Sequence, residues 1–266
     1  MKIANQIHLQ NVQAVYAGFE RILWELIMGE QIHIGGFQSS MDLAERAGLG
    51  AGMSGVDFCC CTGAGMRFLT RFRNVDHVVG VDATPRMVEL GRERCAGEED
   101  RIVFNLSDVC ASGLPSAGAD FIWGEDAWCY VEDKNRLISE AARIVKPGGV
   151  IAFTDWMEGP ALLSDQEADR FLAFMKFPSL ASMDDYRQSL KTHGCEVLAA
   201  ENTGRFAPWM DLYLEMLDKQ LTYDALKIVE FDMAAMGALG EEMKFIQQLA
   251  HAGKLMQGLV IARKQA

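Results

Sequence analysis

Residues 54–65, with the sequence SGVDFCCCTGAG, decide the fold, because a short apolar β-type run leads directly into a glycine-containing turn. Four similar apolar runs follow, and helical patterns separate them. The pattern predicts strands at 55–61, 77–82, 101–105, 119–123 and 150–154, and helices at 66–73, 86–95 and 134–145. The stretch 146–149, KPGG, predicts a helix stop and a turn. Strands that alternate with helices form right-handed crossovers, so the sequence predicts an α/β fold with a parallel sheet.

Both flanks of this alternating region have a more helical pattern. We expect residues 1–40 to form an N-terminal helical arm, which acts as a lid, and residues 41–266 to form the main domain. Further helices are predicted at 165–175, 184–193, 209–221 and 223–250, with strands near 195–200 and 259–263. The segments at about 157–193 and 207–252 are predicted to form a helical cover over one end of the sheet. The part after Pro208 is rich in Met and Leu at helical spacing.

Composition and charge restrict the possible function classes. The 266 residues are 50% apolar and 23% charged, which is typical of a globular chain with a sizeable core. The formal net charge of −12 disfavours nucleic acids and anionic membrane surfaces as partners. The first ten residues lack the apolar core of a signal peptide, and no apolar stretch approaches the roughly 20 residues that span a bilayer. We therefore expect a cytoplasmic protein without a membrane partner.

The seven cysteines do not have the spacing of a metal site. Three are consecutive, at 59–61, and the other four are scattered without a paired C-x-x-C. Adjacent strand residues point to opposite faces, so the triplet is a poor chelate and a poor disulfide. We expect no metal site and interpret the thiols as buried, reduced groups that act as small apolar side chains.

Acidic residues lie at or just after the end of every predicted strand of the alternating region. They are Asp57, Asp82, Asp108, Glu125 with Asp126, and Asp155. Taken singly, each is better explained as a turn former or a helix cap. Ligands of parallel sheets bind at the carboxyl ends of the strands, so an acid at all five ends indicates a binding site there.

Two classes of ligand compete for such a site. A dinucleotide needs the glycine pattern G-x-G-x-x-G, but Phe68 stands where the third glycine should follow Gly63 and Gly65. Several carboxylates would also repel a pyrophosphate. A nucleoside with positive charge and no phosphate fits better, because Asp82 is placed to hold ribose hydroxyls. The sequence therefore favours S-adenosylmethionine over NAD.

Four stretches, in order, resemble the motifs of the class I S-adenosylmethionine-dependent methyltransferases. Residues 57–63 are similar to the family's D-x-G-x-G-x-G, 80–82 to its ribose-binding strand end, 107–109 to its adenine-side motif, and 143–149 to its R-x-L-K-P-G-G signature. The resemblance covers roughly residues 30–160. It implies a Rossmann-like methyltransferase fold, with a mostly parallel seven-stranded sheet, helices on both faces and the helical cover. It also implies S-adenosylmethionine as cofactor and a small-molecule acceptor, and it leaves a homodimer open.

The resemblance also implies site residues at matching positions. The cofactor-binding residues are expected to be Asp57, Cys59, Thr62, Gly63, Asp82, Ala83, Met87, Asp108, Val109 and Glu125. Within this set, Asp57 and Gly63 would hold the methionine moiety, Asp82 the ribose, and Asp108 with Val109 the adenine, on which Met87 would pack. Glu125, Tyr130 and Tyr16 are expected at the transfer site, with Trp156 as a further aromatic wall.

A narrower resemblance points to the glycine, sarcosine and dimethylglycine N-methyltransferases. It rests on residues 32–35, preceded by Tyr16 and Trp24, and on residues 123–127, WGEDA. Many of these relatives carry a histidine at the position of Tyr130. His33 is equally well explained as a site residue and as a loop histidine that bonds the backbone. The resemblance favours an amine acceptor and assigns no catalytic base.

Other functions remain open at this stage. The Met-rich cover favours a C- or O-methyltransferase of an apolar acceptor, which would enter beneath the arm and the helices after Pro208. Cys59 and Cys61 stand at two of the motif's three glycines, which admits a non-catalytic relic that binds S-adenosylmethionine, or a reactive thiol. We expect a working loop, because the other motif residues stand together.

Overall fold

The computed structural model describes residues 1–4 and 6–266. Its strands are β1 (Lys2–Ile3), β2 (Ser54–Phe58), β3 (His77–Asp82), β4 (Ile102–Leu106), β5 (Ala119–Glu125), β6 (Val145–Glu158), β7 (Ser179–Leu180), β8 (Cys195–Asn202) and β9 (Leu255–Lys264). Its α-helices are α1 (Leu9–Ala17), α2 (Phe19–Met28), α3 (Gly36–Arg46), α4 (Ala64–Phe72), α5 (Pro85–Arg94), α6 (Lys134–Ile144), α7 (Asp165–Met175), α8 (Met183–Thr192), α9 (Phe206–Lys219), α10 (Thr222–Ile228) and α11 (Met233–His251). A 3₁₀ helix, Trp128–Tyr130, follows β5.

Seven of these strands form one sheet in the order β4-β3-β2-β5-β6-β9-β8. The strands from β4 to β6 pair in parallel. Strand β9 runs antiparallel between β6 and β8. The predicted α/β fold and its mostly parallel seven-stranded sheet are therefore confirmed. The helix stop predicted at KPGG is also confirmed, since α6 ends at Ile144, although β6 begins at Val145 and includes those four residues.

Helices cover both faces of the sheet. Consecutive residues of β5 point to opposite sides, so each face has apolar side chains against which a helix packs. Phe121 and Trp123 pack with Phe68 of α4 on one face. Ile122 packs with Leu137 of α6 on the other face. All five side chains are buried. With both faces covered, the carboxyl ends of β2 to β5 are the place where the fold can accept a ligand.

The helix predicted over 223–250 is wrong, because α10 ends at Ile228 and α11 begins at Met233. Glu230 and Phe231 in the connection have positive φ angles of 54° and 62°, which no helix accommodates. Asp232 then caps α11 by accepting hydrogen bonds from two backbone N–H groups. The apolar pattern continues across this break, so spacing alone did not reveal it. Within the described residues, no helix is long and apolar enough to cross a membrane.

The N-terminal arm is attached to the main domain at several places. Strand β1 pairs with β7, and α2 packs in one apolar cluster with α7, α9 and α11. Leu23 and Ile27 of α2 are buried in that cluster. The predicted boundary after residue 40 falls inside α3, so one continuous helix joins the arm to the main domain.

Candidate functional site

A cavity of about 440 Å³ lies at the carboxyl ends of β2, β3 and β5. Its floor is formed by the turn after β2 and by residues that follow β3, β4 and β5. Its roof comes from the arm, which contributes Leu9, Val12 and Tyr16 of α1 and the segment 30–33. The arm therefore closes the sheet edge at which the sequence predicted a site.

The turn after β2 has left-handed backbone at alternate residues. The φ angles of Cys59, Cys61 and Gly63 are 60°, 49° and 77°. Only glycine adopts this conformation freely, and for other residues it costs about 1–2 kcal/mol. Backbone contacts hold the two cysteines in place: the Cys59 N–H donates to the Val81 carbonyl at 2.8 Å, and the Cys61 N–H donates to Asp82 Oδ2 at 2.9 Å. Cys59 and Cys61 therefore keep the left-handed backbone conformation that glycine would adopt at these two positions of the motif.

The prediction that all the thiols are buried is wrong for two members of the triplet and for Cys110. Cys60 is buried, whereas Cys59 and Cys61 are half-buried, and all three residues line the cavity. Burial, followed by the charge of Asp82, raises the pKa of all three thiols. The thiols are therefore protonated at neutral pH, which disfavours the reactive-thiol hypothesis.

Two buried carboxylates, Asp57 and Asp82, lie beside this turn and line the cavity. Asp82 accepts hydrogen bonds from the backbone N–H groups of Cys61 and Thr84, at 2.9 and 2.8 Å, which partly oppose the rise in its pKa caused by burial. The pKa of Asp57 is raised well above its usual value by burial and by the charges of Glu125 and Asp82. Gly65 permits this arrangement, since a Cβ there would lie 2.9 Å from Asp57 Oδ2. The pair would gain from a positively charged ligand.

Glu125, at the end of β5, is held by side chains from two other places. Ser40 Oγ of α3 donates a hydrogen bond to Glu125 Oε1 at 2.8 Å, and Trp123 Nε1 donates to Oε2 at 3.2 Å. His33 Nε2 lies 3.4 Å from Glu125 Oε1. Burial raises the pKa of Glu125 to about 8, although the hydrogen bonds from Ser40 and Trp123 act to lower it. Burial lowers the pKa of His33. At neutral pH the carboxyl group is therefore mostly protonated and the imidazole is neutral.

The neighbouring Asp126 has one oxygen in use and one without a partner. Asp126 Oδ2 accepts hydrogen bonds of 2.8 Å from the Ile34 N–H and from Gln257 Nε2. Asp126 Oδ1 is buried and has no hydrogen-bond partner among residues 1–4 and 6–266. The residue lines the cavity, and burial raises its pKa to about 6. An unsatisfied buried acceptor indicates a place for a ligand donor.

Two tyrosines form an aromatic wall of the cavity. The rings of Tyr16 on the arm and Tyr130 in the 3₁₀ helix meet edge to face, with centroids 5.2 Å apart. Burial raises the pKa of both hydroxyls, so both remain protonated at neutral pH. The structure therefore brings together the three predicted transfer-site residues, Glu125, Tyr130 and Tyr16.

Most of the predicted cofactor-binding residues line the same cavity. They are Asp57, Cys59, Thr62, Asp82, Ala83, Asp108, Val109 and Glu125. Gly63 and Met87 do not line it: Gly63 faces Phe104, and the Met87 sulfur lies behind the turn, 3.5 Å from Cys61 Sγ. Their assigned contacts with the cofactor remain predictions.

Three other expectations are corrected by the structure. Trp156 does not line the cavity but packs in the apolar cluster beneath the arm, stacked on Phe171 and edge to face with Phe206. Asp155 is fully buried in β6, which continues to Glu158, and it accepts a hydrogen bond from the Cys129 N–H at 2.9 Å. The helices after Pro208 also contribute nothing to the cavity wall, because they pack against the outer side of α2.

The sequence reasoning missed several residues that complete the site. Ser40 and Gln257 are distant in sequence from their partners, and no motif marked them. Arg67 and Arg94 were missed as well, although each has a clear role in the structure. Arg94 donates to Glu25 of the arm at 2.7 Å and to Thr62 Oγ1 at 3.1 Å. Arg67 pairs with Glu30 of the arm and donates to the Thr62 carbonyl at 2.9 Å, so both arginines tie the arm to the turn after β2.

Comparison with known proteins finds a family described as "Methyltransferase domain", which matches residues 56–153. The chain is 27% identical over 263 residues to phosphoethanolamine N-methyltransferase 1 of Zea mays, a match that covers 97% of this chain and 50% of that protein. The chain thus spans about half the length of the curated relatives it matches.

Two solved structures have similar folds. A putative sarcosine dimethylglycine methyltransferase from Galdieria sulphuraria has a TM-score of 0.82 at 23% identity, and the match covers 93% of this chain and 98% of that one. Phosphoethanolamine N-methyltransferase 2 of Haemonchus contortus, solved with S-adenosyl-L-methionine, has a TM-score of 0.82 at 21% identity, covering 97% of this chain and 59% of that one. These likenesses agree with the predicted methyltransferase fold.

Proposed function

We propose that this chain is a class I S-adenosylmethionine-dependent methyltransferase that transfers the methyl group to a small-molecule amine. The observation that supports this proposal most is a single cavity lined by strand-end carboxylates, by Asp126 with its unpartnered buried oxygen, and by Tyr16 and Tyr130. The relatives and similar structures that are named as N-methyltransferases agree with it.

The cavity residues fit S-adenosylmethionine. Asp57 and Asp82 are buried carboxylates with raised pKa values, so a cationic ligand would stabilise their charged forms. Asp57 would face the ammonium group, and Asp82, whose oxygens each retain a free lone pair, would accept the ribose hydroxyls. Asp108 and Val109 would flank the adenine. When bound, the cofactor supplies an activated methyl group on a positively charged sulfur.

Asp126 and the tyrosines would place the acceptor. The free Asp126 Oδ1 can accept a hydrogen bond from an amine, which leaves the nitrogen lone pair to be directed at the methyl group. The hydroxyls of Tyr16 and Tyr130 are protonated and can orient the same nitrogen. An amine that arrives with a free lone pair needs positioning more than a strong base, so no residue of this chain is assigned as a catalytic base.

The arm would exclude water from the cavity. Its residues Leu9 and Val12 form an apolar part of the roof, and Arg67 and Arg94 hold it against the turn after β2. A dry site favours in-line transfer, because water neither separates nor competes with the reacting groups. The Met-rich helices after Pro208 support the arm from outside, so they no longer favour an apolar acceptor.

The test is an incubation of the protein with S-adenosylmethionine labelled in the methyl group and a panel of small amines. We expect label in an amine product and formation of S-adenosylhomocysteine, both strongly reduced in Asp126→Asn at low amine concentration. Glu241→Gln is the matched control, because Glu241 is exposed on α11 far from the cavity wall. Label appearing only in alcohols or at carbon would contradict the proposal.

A further inference from the structure

The charges of the cavity wall are nearly all negative. Glu30, Asp126, Glu132 and Asp133 line it, in addition to the carboxylates at the strand ends. The basic residues that line it are His33 and Arg136. Burial lowers the pKa of His33, which leaves the ring neutral at pH 7, so Arg136 provides the fixed positive charge.

Arg136 lies among carboxylates, which reduce its attraction for an anion in the cavity. It is exposed, in the first turn of α6, and its own backbone N–H donates to the carboxylate of Asp133 at 2.9 Å. Asp108, another carboxylate of the cavity wall, lies in the same neighbourhood as Arg136. The charge of Asp108 raises the pKa of Cys110, and the charge of Arg136 lowers it. Its charge is therefore offset by neighbouring acids.

The other cations near the cavity already have partners. Arg94 and Arg67 are paired with Glu25 and Glu30 of the arm. Lys134 is buried, and its Nζ donates to the carbonyls of Cys129 and Val131. Pairing each of these cations with a phosphate would first break contacts that hold the arm or the 3₁₀ helix in place.

Helix N-termini, the other common phosphate-binding feature, have carboxylates beside them at this cavity. The first turn of α4 has no side-chain cap, but Gly65 there lies against Asp57. The start of α5 is held by Asp82, which accepts a hydrogen bond from the Thr84 N–H at 2.8 Å. The start of α6 is capped by Asp133. A dianion at either end would lie against a negative charge.

From this arrangement we propose that the acceptor is an amine without a phosphate group, and that the carboxylates of the cavity wall exclude phosphorylated amines. The unpartnered Oδ1 of Asp126, a residue that is 5% exposed, is an independent indication of a donor ligand. The inference rests on the proposed function in taking this cavity as the acceptor site. It departs from the phosphoethanolamine named in the relatives.

The test compares choline with phosphocholine, which differ only by the phosphate. Neither can accept a further methyl group at nitrogen, so their binding does not depend on transfer. Each is titrated by calorimetry into the full chain saturated with S-adenosylhomocysteine. We expect choline to bind at least tenfold more tightly than phosphocholine, since its quaternary ammonium suits carboxylates and the faces of Tyr16 and Tyr130.

Charge variants make the test specific to the wall. Glu132 is exposed at the mouth of the cavity, so Glu132→Lys is expected to reduce the preference for choline at least threefold, whereas Glu241→Lys on α11 leaves it unchanged. Phosphocholine binding as tightly as choline, or no binding of choline, would overturn the inference. Absence of methyl transfer to any amine would instead count against the proposed function. The comparison of choline with phosphocholine would still decide whether the cavity excludes a phosphate.

Discussion

The hydroxyl of Ser40 donates a 2.8 Å hydrogen bond to the carboxyl group of Glu125, and this contact joins α3 to the end of β5 inside the cavity. Burial nevertheless raises the pKa of Glu125 to about 8, so the free protein holds a proton there at neutral pH. Asp57 and Asp82 are shifted in the same direction. Proton release is therefore expected to accompany the binding of a cation.

Cofactor affinity should depend on pH in a defined direction. A cationic ligand favours the ionised form of Glu125 and lowers its pKa on binding, so affinity rises with pH and is lost as pH falls below about 8. Calorimetry in two buffers of different ionisation enthalpy would measure the released proton. Glu125→Gln should reduce both the release and the pH dependence. An affinity for S-adenosylmethionine that is constant from pH 6 to pH 9 would show that these carboxyl groups do not respond to it.

Asp82→Ala should weaken S-adenosylmethionine binding by about 1.5–3 kcal/mol, through loss of charge-assisted hydrogen bonds to the ribose. It should also lower the melting temperature, because the N–H groups of Cys61 and Thr84 lose their acceptor. Asp82→Asn should be milder in both respects, since one acceptor oxygen remains. Calorimetry and thermal unfolding of both variants separate the two effects. Unchanged cofactor affinity in Asp82→Ala would refute the ribose assignment.

Cys61→Gly should change cofactor affinity less than tenfold, because the turn already has the conformation that glycine prefers. The relief of left-handed strain, about 1 kcal/mol, is offset by the greater freedom of glycine in the unfolded chain. Cys61→Ala is the matched variant, since it removes the thiol and its 3.5 Å contact with Met87 but keeps the Cβ. Binding that is restored only in Cys61→Gly, from an undetectable level in the natural protein, would identify a degenerate loop.

Asp126→Asn should raise the KM for the amine at least tenfold and leave cofactor affinity nearly unchanged, because the unpartnered oxygen faces the acceptor in our proposal. Since the pKa of Asp126 is raised to about 6, transfer by the natural protein should also decline as pH falls through that value. Initial rates at varied amine concentration and pH would measure both effects. Equal KM values in the two proteins would place the acceptor elsewhere.

Deletion of the arm through residue 31 is expected to abolish transfer more severely than cofactor binding, since the arm roofs the cavity. The deletion also removes Leu23 and Ile27 and so exposes the core side chains that pack on them. A point variant is therefore the sharper test. Arg94→Gln removes the contacts with Glu25 and Thr62 and should lower kcat more than it raises the Kd of the cofactor. Arg86→Gln, on the exposed side of α5, is the control. Full activity of Arg94→Gln would show that the arm needs no such attachment.

The centre of the sheet could be predicted from the sequence because strands such as β5 and β9 are largely apolar runs buried on both faces. The cofactor side could be predicted for a similar reason, since its acids follow those runs directly. The acceptor side depends on pairs such as Ser40 with Glu125 and Gln257 with Asp126, which are 85 and 131 residues apart. No local pattern encodes such contacts. The break before Asp232 escaped prediction because the apolar spacing is the same on both sides of it.

The bond from Gln257 to Asp126 has a consequence for the order in which the protein is assembled during translation. The turn after β2, Asp82 and Asp126 leave the ribosome well before Gln257, which lies in β9. A nascent chain could therefore form the strands that surround the cofactor while β6 still lacks its antiparallel neighbour. The acceptor side can be completed only when β9 inserts beside β6, so competence to bind the acceptor comes late in synthesis.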